Sequence, residues 1–502
     1  MQRSGKRKRH KCLTSAPICF IIFVGYYFIV KEAHVMKRKI VALLLALGLL
    51  LPSLGILASA STPAYTIGNP YESVNWDTWG QYKTQLHVHT NGSDGEVPLN
   101  EVVEEHYRLG YDILCITDHM TLGAPWDQVP RTVPIMRLVK YSRTKMAPMA
   151  PITSERRTEI LNGVGRPSGK PMLEITQGVE LNGAVPSNSH LQGFFCNYGQ
   201  GAIGVDMDWE SPVKRNAKAG GVTTLNHLGE PTGAEASGDV KFYDDNPKWV
   251  DKFAYLFVNY PSCLGMDVNS GTNDGTKYDI ILYDRILAKT IPYGVTPWAF
   301  CYSDAHSPGQ FDRSWTVHLM PEQTPAALRT SMEDGAFFGF SRHARLQLGD
   351  DFVGEGAPPA VSRIAVDKTA GKITITASGY DEIIWTSDGE IVTKGATIDI
   401  AANDAKIGSY VRAELLGDGG ILYVQPFTVL RGGQTLEKEE IKRVFDYSVP
   451  LRWVVDVLEF LAPKYSPLWV LWMAISYFDP AVDTPWLSAN VFKPILGMIF
   501  GG

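Results

Sequence analysis

Residues 85–120 read QLHVHTNGSDGEVPLNEVVEEHYRLGYDILCITDHM, and the alternation at their head decides what the rest of the chain can be. In Gln85-Leu86-His87-Val88-His89 an extended chain puts His87 and His89 on one face and Leu86 and Val88 on the other, so two imidazoles converge on one point. A turn written in Asn91-Gly92-Ser93-Asp94-Gly95 leads to a helix over Pro98–Gly110, with Leu99, Val102, Val103 and Leu109 on its apolar side and Gly110 as its stop. Asp112–Thr117 is an apolar run suited to a strand buried on both faces. It ends in Asp118-His119, at the carboxyl end, where barrel enzymes keep their chemistry. A lone histidine is more often a packing or surface residue than a ligand. A His-x-His pair, Asp94 and a strand-terminal Asp-His within one β-α-β unit shift that balance, because nitrogen and oxygen donors of this kind suit Zn, Mn and Fe.

The pattern of strand, helix and strand continues. Glu174–Glu180 reads as a strand ending in a carboxylate, His190–Phe195 starts another, and residues 206–220 have helical spacing stopped by Gly220-Gly221. Val222–His227 is a strand with its histidine at the end. Leu264–Val268 is a further short strand, Asp279–Ala288 a helix with Leu282, Ile286 and Leu287 on one face, Ala299–Asp304 a strand, and Pro325–Gly335 a helix. This periodicity predicts parallel β-α units. The Gly271–Gly275 stretch lacks the Lys and Ser/Thr of a phosphate-binding loop and reads as a turn.

HVHTNGSDG followed by ITDH resembles the first two motifs of the polymerase and histidinol phosphatase (PHP) family of metallohydrolases. The later motifs follow in order: Glu180 in Gly178-Val179-Glu180, His190, His227 in Leu225-Asn226-His227, and Asp304 with His306 in Ser303-Asp304-Ala305-His306. The resemblance extends from Tyr82 to Phe340. From Ser303 through Arg313, Trp315 and Thr316 to Gly335 it is more particularly similar to the carbaryl-hydrolase-like branch. It implies an α/β fold, a distorted (β/α)7 barrel, with His87, His89, Glu180 and Asp304 on one ion and Glu180 bridging to a second held by His190 and His227. Asp94, His119 and His306 correspond to the ligands of a third, so two or three divalent ions (zinc, manganese or iron) are expected.

The activity so implied is that of a phosphoesterase, with a metal-bound hydroxide attacking a phosphomonoester or phosphodiester. Hydrolysis of a carbamate, ester or amide is the alternative favoured by the carbaryl-hydrolase-like similarity. A non-catalytic binding module associated with a wall or membrane is a third reading, against which the intact ligand set argues. Ser93 and Ser303 have no activating partner once the histidines are committed to metal, so no protein nucleophile is assigned. Asp118 is expected to orient a ligand histidine by accepting its other N–H. Arg313 is expected to meet a substrate anion or to form a structural salt bridge. His106, His318 and His343 fit no motif and read as surface or packing residues.

Composition bounds the rest. The 502 residues, 20% charged and 45% hydrophobic, are those of an ordinary globular protein with two or three domains, which excludes a disordered chain. A net charge of -6 gives no basic stripe for a nucleic-acid scaffold; the expected partner is a small, anionic substrate. Residues 1–60 hold two apolar runs, Ile18–Val30 and Ile40–Leu57. The second, with Lys37-Arg38-Lys39 before it and Ala58-Ser59-Ala60 after it, has the three regions of a signal peptide cleaved before Ser61, predicting a secreted or cell-surface protein. Met36 is a competent initiator, which would make residues 1–35 an over-extended frame; the competing reading is a transmembrane hairpin. Beyond Ser61, Cys115, Cys196, Cys263 and Cys301 are too sparse for a disulfide framework and read as buried thiols.

Residues 61–345 form the expected barrel unit, with an insertion at 120–178. The insertion carries Arg131, Arg137, Lys140, Arg143, Lys145, Arg156, Arg157, Arg166 and Lys170 against few acids. A lid that meets an anionic substrate and a solvated charged excursion are its two readings. Residues 346–432 alternate in short runs broken by Ser387-Asp388-Gly389 and Gly417–Gly420, predicting a β-sandwich packed on the barrel, with carbohydrate or wall binding as the alternative. Residues 433–502 read as a helical, aromatic-rich tail with Leu436, Ile441, Val444 and Phe445 at helical spacing and no run long enough to cross a bilayer. It docks either on the barrel or on a membrane surface or cell wall.

Overall fold

The structure, a computed structural model, describes residues 65–129, 149–182, 189–200, 209–272, 274–432 and 434–444. The expected signal segment, residues 130–148 of the insertion and residues 445–502 of the expected tail lie outside them. In chain order the strands are β1 (Tyr65–Gly68), β2 (Gly80–Gln85), β3 (Ile113–Cys115), β4 (Leu173–Ile175), β5 (Gly178–Asn182), β6 (His190–Phe194), β7 (Val222–Leu225), β8 (Cys263–Asp267) and β9 (Trp298–Phe300). They continue with β10 (Ser314–Met320), β11 (Phe337–Ser341), β12 (Ala360–Asp367), β13 (Lys372–Ser378), β14 (Glu382–Ser387), β15 (Glu390–Lys394), β16 (Thr397–Asp399), β17 (Tyr410–Gly417) and β18 (Gly420–Arg431). The longer helices are α1 (Leu99–Arg108), α2 (Ser154–Leu161), α3 (Glu210–Lys218), α4 (Pro247–Asn259), α5 (Asp279–Thr290) and α6 (Pro325–Asp334).

Helix α1 forms because Leu99, Val102, Val103, His106 and Tyr107 fall on one buried face. Each fully buried apolar side chain of this size contributes about 1.5–3 kcal/mol relative to exposure. Glu101 in the first turn and Arg108 in the last complement the helix dipole, and Gly110, at φ +80°, turns the chain out of the helix where a side chain would be strained. Helix α4 opens on a proline and buries Val250, Phe253, Ala254 and Phe257, the spacing of a core-facing stripe.

The expected (β/α)7 barrel is not one closed sheet. Its strands fall into two: β5-β6-β7-β8-β9 form a five-stranded sheet, and β4-β3-β2-β10-β11 form one end of a ten-stranded sheet. The residues expected to make a single strand to Glu180 make two, β4 and β5, and the chain passes between sheets at Thr176-Gln177. Two isolated parallel bridges, Val88 to Ala305 and His119 to Glu180, stitch the sheets together. Strands β2-β3-β4 and β7-β8-β9 are parallel, whereas β6 runs against both neighbours. The result is a mixed α/β fold with a β-rich C-terminal region.

That C-terminal region does form two sheets, β12-β13-β16 and β15-β14-β17-β18, but the second is not separate from the rest. Strand β18 pairs with β17 on one edge and with β11 on the other, Phe338 opposite Val424 and Phe340 opposite Leu422, so one ten-stranded sheet crosses the expected boundary at 345/346. A buried charge network joins the same parts. Arg412 on β17 forks onto Asp284 of α5 at 2.6 and 2.7 Å and reaches Glu414 at 2.5 Å, while the Tyr410 hydroxyl donates to Asp284 at 2.7 Å. Gln434–Val444, where the tail was expected to begin a helix, contain none among the described residues.

Candidate metal centre

The direction of each strand delivers its donor to one rim. β2 ends at Gln85 and the chain goes on, irregular, to His87 and His89; β3 ends before Asp118-His119; β7 ends before His227; β9 ends before Asp304 and His306. Antiparallel β6 begins at the rim, with His190, and Glu180 lies within β5. All nine expected donors fall into three groups: His87, His89, Glu180 and Asp304; Glu180, His190 and His227; His89, Asp94, His119 and His306. Glu180 belongs to two groups, and so does His89.

The distances test whether these are hydrogen-bonded pairs or donors with a common focus. Nε2 of His87 lies 2.9 Å from Oδ1 of Asp304 and 3.4 Å from Oε2 of Glu180, and Nε2 of His89 lies 3.1 Å from both atoms. The two Nε2 atoms are themselves 3.1 Å apart. Oε1 of Glu180 turns the other way, 3.4 Å from His190 and 3.5 Å from His227. Oε2 of Glu180 has three imidazole nitrogens within 3.4 Å, His119 the nearest at 2.9 Å, yet makes no hydrogen bond of normal geometry among the described residues. Donors bonded at about 2.0–2.1 Å to one ion lie roughly 2.9–3.4 Å from each other, depending on coordination number. The residues present therefore fit divalent ions.

Charge makes the same case. Glu180 and Asp304 are buried, which by itself raises their pKa values, but His119, His87 and His190 around the first and His87, His89 and His227 around the second hold both well below the carboxylate range. Burial would lower His89, and Asp304 and Glu180 instead raise it to about 10. His119 and His227 are likewise raised, burial being overcome by Glu180 and Asp94 for the first and by Glu180 and Glu230 for the second. Buried carboxylates of this density require cations, protons or metal ions. His190 differs: burial outweighs Glu180 and lowers its pKa.

Backbone strain sits at two of the donors. His227 has φ +30° and Asp304 φ +49°, conformations that cost about 1–3 kcal/mol each for a residue with a side chain and persist where the surroundings over-determine them. The turn after His227 is held by close packing: a Cβ on Gly229 would stand 1.9 Å from the Gly275 carbonyl oxygen. This turn also carries a functional residue that the sequence reading missed. Oε2 of Glu230 is 3.2 Å from Nδ1 of His227, at ion-pair distance but without hydrogen-bond geometry, while Nε2 of the ring faces Glu180.

Asp118 does not take the direct role expected of it. Its Oδ1 accepts from the Thr90 backbone N–H at 2.7 Å and the Ser93 hydroxyl at 2.7 Å, and its Oδ2 from the Thr90 hydroxyl at 2.6 Å. It fixes the loop leading to Asp94 and reaches a ligand histidine only through Ser93, whose hydroxyl is 3.3 Å from Nδ1 of His89. Arg313 stands at the rim before β10, with Nη1 3.4 Å from the Gly271 carbonyl oxygen. The basic residues of the insertion that lie in described regions are largely engaged. Arg156 forks onto Glu104 at 2.7 and 2.9 Å, Arg157 pairs with Glu174, and Arg166 bonds to the Tyr111 carbonyl and Asp112. Arg131, Arg137, Lys140, Arg143 and Lys145 fall outside the described residues. His106 and His318 are buried packing residues.

Residues 85–182, a span holding five of the nine donors, match the PHP domain. No protein of curated function matches the chain. Similar solved structures include a two-domain protein containing a predicted PHP-like metal-dependent phosphoesterase from Bacteroides vulgatus, at 14% identity and TM-score 0.36, covering 70% of this chain and 88% of that one. An amidohydrolase from Chromobacterium violaceum is similar at 15% identity and TM-score 0.27, over 51% and 96%. The lesion-specific endonuclease of Pyrococcus furiosus is similar at 10% identity and TM-score 0.29, over 51% and 56%.

Proposed function

We propose that this chain is a metal-dependent phosphoesterase acting outside the cytoplasm on a small phosphomonoester or phosphodiester, after export and cleavage following Ala60. In this reading the two stitched sheets are the halves of a distorted (β/α)7 barrel. The observation that carries the proposal is the division of Glu180, whose two oxygens face different sets of imidazoles and so join neighbouring donor groups through one carboxylate. Divalent ions bound side by side there would lower the pKa of water and stabilise both the attacking and the leaving oxygen of a phosphoryl group.

The chain's own residues then hold and orient. Asp304 and His227 are kept in strained conformations that aim their side chains at the cluster, and Glu230 sets a negative charge 3.2 Å from Nδ1 of His227 while Nε2 faces Glu180. Asp118 holds the loop that brings Asp94 to His119 and His306, each 3.3 Å from Asp94 Oδ2. The Ser93 hydroxyl is enclosed and donates to Asp118, and the Ser303 hydroxyl donates to the Gln310 carbonyl at 2.7 Å, so neither is presented as a nucleophile and water is left as the attacking group. The test is turnover by purified protein supplied with Mn or Zn on a phosphomonoester, a phosphodiester and a carbamate. Metal-dependent release of phosphate or alcohol from either phosphoester supports the proposal; turnover of the carbamate alone replaces it with the carbamate, ester or amide hydrolase reading.

A further inference from the structure

We propose that Arg313, with His343 beside it and Ser270 on the loop whose Gly271 it bonds, forms a subsite for a second anionic group of the substrate, a carboxylate or phosphate distinct from the one that reacts. The inference rests on the hydrolase reading above only in calling the bound molecule a substrate. Strand register places all three residues at the rim that carries the metal donors. β10 runs antiparallel to β2, Thr316 opposite Thr84, so Arg313, just before β10, stands where β2 leads on to His87 and His89. β11 returns antiparallel to β10, Ser341 opposite Ser314, and brings His343 out at the same end. β8 runs parallel to β9, so the loop over Asn269–Thr272 emerges beside the segment leading to Asp304. Two hydrogen bonds tie that loop to it: Gly271 N–H to the Tyr302 carbonyl at 2.9 Å, and the Thr272 hydroxyl to the Asp304 carbonyl at 2.8 Å.

What distinguishes the three residues is unmet hydrogen-bonding capacity. Arg156, Arg157, Arg342 and Arg345, part-buried, and Arg412, buried, each face a carboxylate. Arg313 has, among the described residues, the one long bond to the Gly271 carbonyl and no carboxylate within ion-pair distance. The Ser270 hydroxyl and Nε2 of His343 are shut off from solvent and have no hydrogen-bond partner among the described residues. Burial, aided by Arg313 and Arg345, lowers the His343 pKa to about 4, so at neutral pH the ring is uncharged, free to donate from Nε2 in one tautomer, and not a second cation needing its own counter-ion. A guanidinium presents a rigid fork that matches carboxylate or phosphate oxygens, and such oxygens supply the acceptors that a hydroxyl and an imidazole N–H lack. Gly271 lets the loop pass under the arginine, since a Cβ there would stand 2.7 Å from Cβ of Arg313.

The test is calorimetric binding of non-hydrolysable ligands to the metal-loaded protein. Methylphosphonate carries the reacting type of anion alone; phosphonoacetate, 3-phosphonopropionate and 4-phosphonobutyrate add a carboxylate at increasing reach. The best of the three is expected to bind about 10- to 100-fold more tightly than methylphosphonate, as a charged hydrogen-bonding partner gives. Arg313→Gln should bring that ratio to within about twofold, and Arg313→Lys should restore part of it, since the charge returns without the fork. Equal affinities in the wild type, or a ratio that survives Arg313→Gln, would overturn the subsite. A wild type that shows the ratio but hydrolyses no phosphoester keeps the subsite and overturns the phosphoesterase reading; hydrolysis without the ratio overturns the subsite alone.

Discussion

Glu230 stands behind His227 at ion-pair distance: its Oε2 lies 3.2 Å from Nδ1, across the ring from the Nε2 that faces Glu180. A carboxylate in this position sets which nitrogen carries the proton and makes the other a better donor to metal. Because it touches only one of the three donor groups, its loss is expected to weaken one ion selectively. Glu230→Gln should lower the affinity of the ion at Glu180, His190 and His227 by about 10- to 100-fold while the other groups keep theirs. Competitive titration against a chelating dye reads this, and an unchanged isotherm would remove Glu230 from the site.

The second expectation concerns pH and metal-free protein. His89 is held at about 10 against an ordinary 6.5, so its contribution to stability is full below about pH 6.5 and is lost as pH rises through about 10. Glu180 and Asp304, held well below the carboxylate range, contribute above their unfolded values and lose that contribution as pH falls. In chelator the melting temperature should therefore decline from pH 6.5 to pH 10, and divalent ions should flatten that decline by replacing the proton. Parallel melting curves with and without metal would contradict it.

A third expectation lies away from the site. Arg412 is buried between Asp284 and Glu414, so Arg412→Leu leaves two buried carboxylates without their cation and should cost about 3–5 kcal/mol. Urea denaturation measures it. A loss below about 1 kcal/mol, the range of exposed pairs, would show that the network is hydrated in solution.

The two readings of the insertion, lid and solvated excursion, part at Arg156 and Arg157. Arg156 and Arg157 are spent on Glu104, Glu159 and Glu174, so the double change Arg156→Gln, Arg157→Gln should lower the melting temperature and leave KM for a phosphoester within about twofold. A large rise in KM with unchanged stability would restore the lid reading for these two residues.

The parts of the site that sequence discloses are those where donors sit close together at strand ends: His87 and His89 by alternation, and His119 at the foot of an apolar run. Glu180, His190 and His227 are legible from the residues only as polar groups at strand ends, and their grouping as ligands comes through the family resemblance, since single acids and histidines many residues apart carry no pattern that joins them. Glu230 follows His227 by three residues, an ordinary spacing with no motif, and only the left-handed turn at His227 brings it onto the ring. Helix α4 was legible, with its leading proline and its Val250, Phe253, Ala254 and Phe257 stripe, yet escaped the sequence reading. The pairing of β18 with β11 was not: two buried strands about eighty residues apart do not announce their partner, and strand patterning predicts a sheet without predicting which sheet. The division into two sheets was hidden too, since Leu173–Ile175 and Gly178–Asn182 read as one run.

Nine side chains on one rim are assigned here to divalent ions, and the metal content of the protein decides whether they hold them. Protein loaded with Mn or Zn, freed of loosely bound metal and measured by mass spectrometry of the elements, should contain two or three ions per chain, falling in Glu180→Gln because that carboxylate serves two groups. Less than one ion per chain in the loaded wild type would contradict the account.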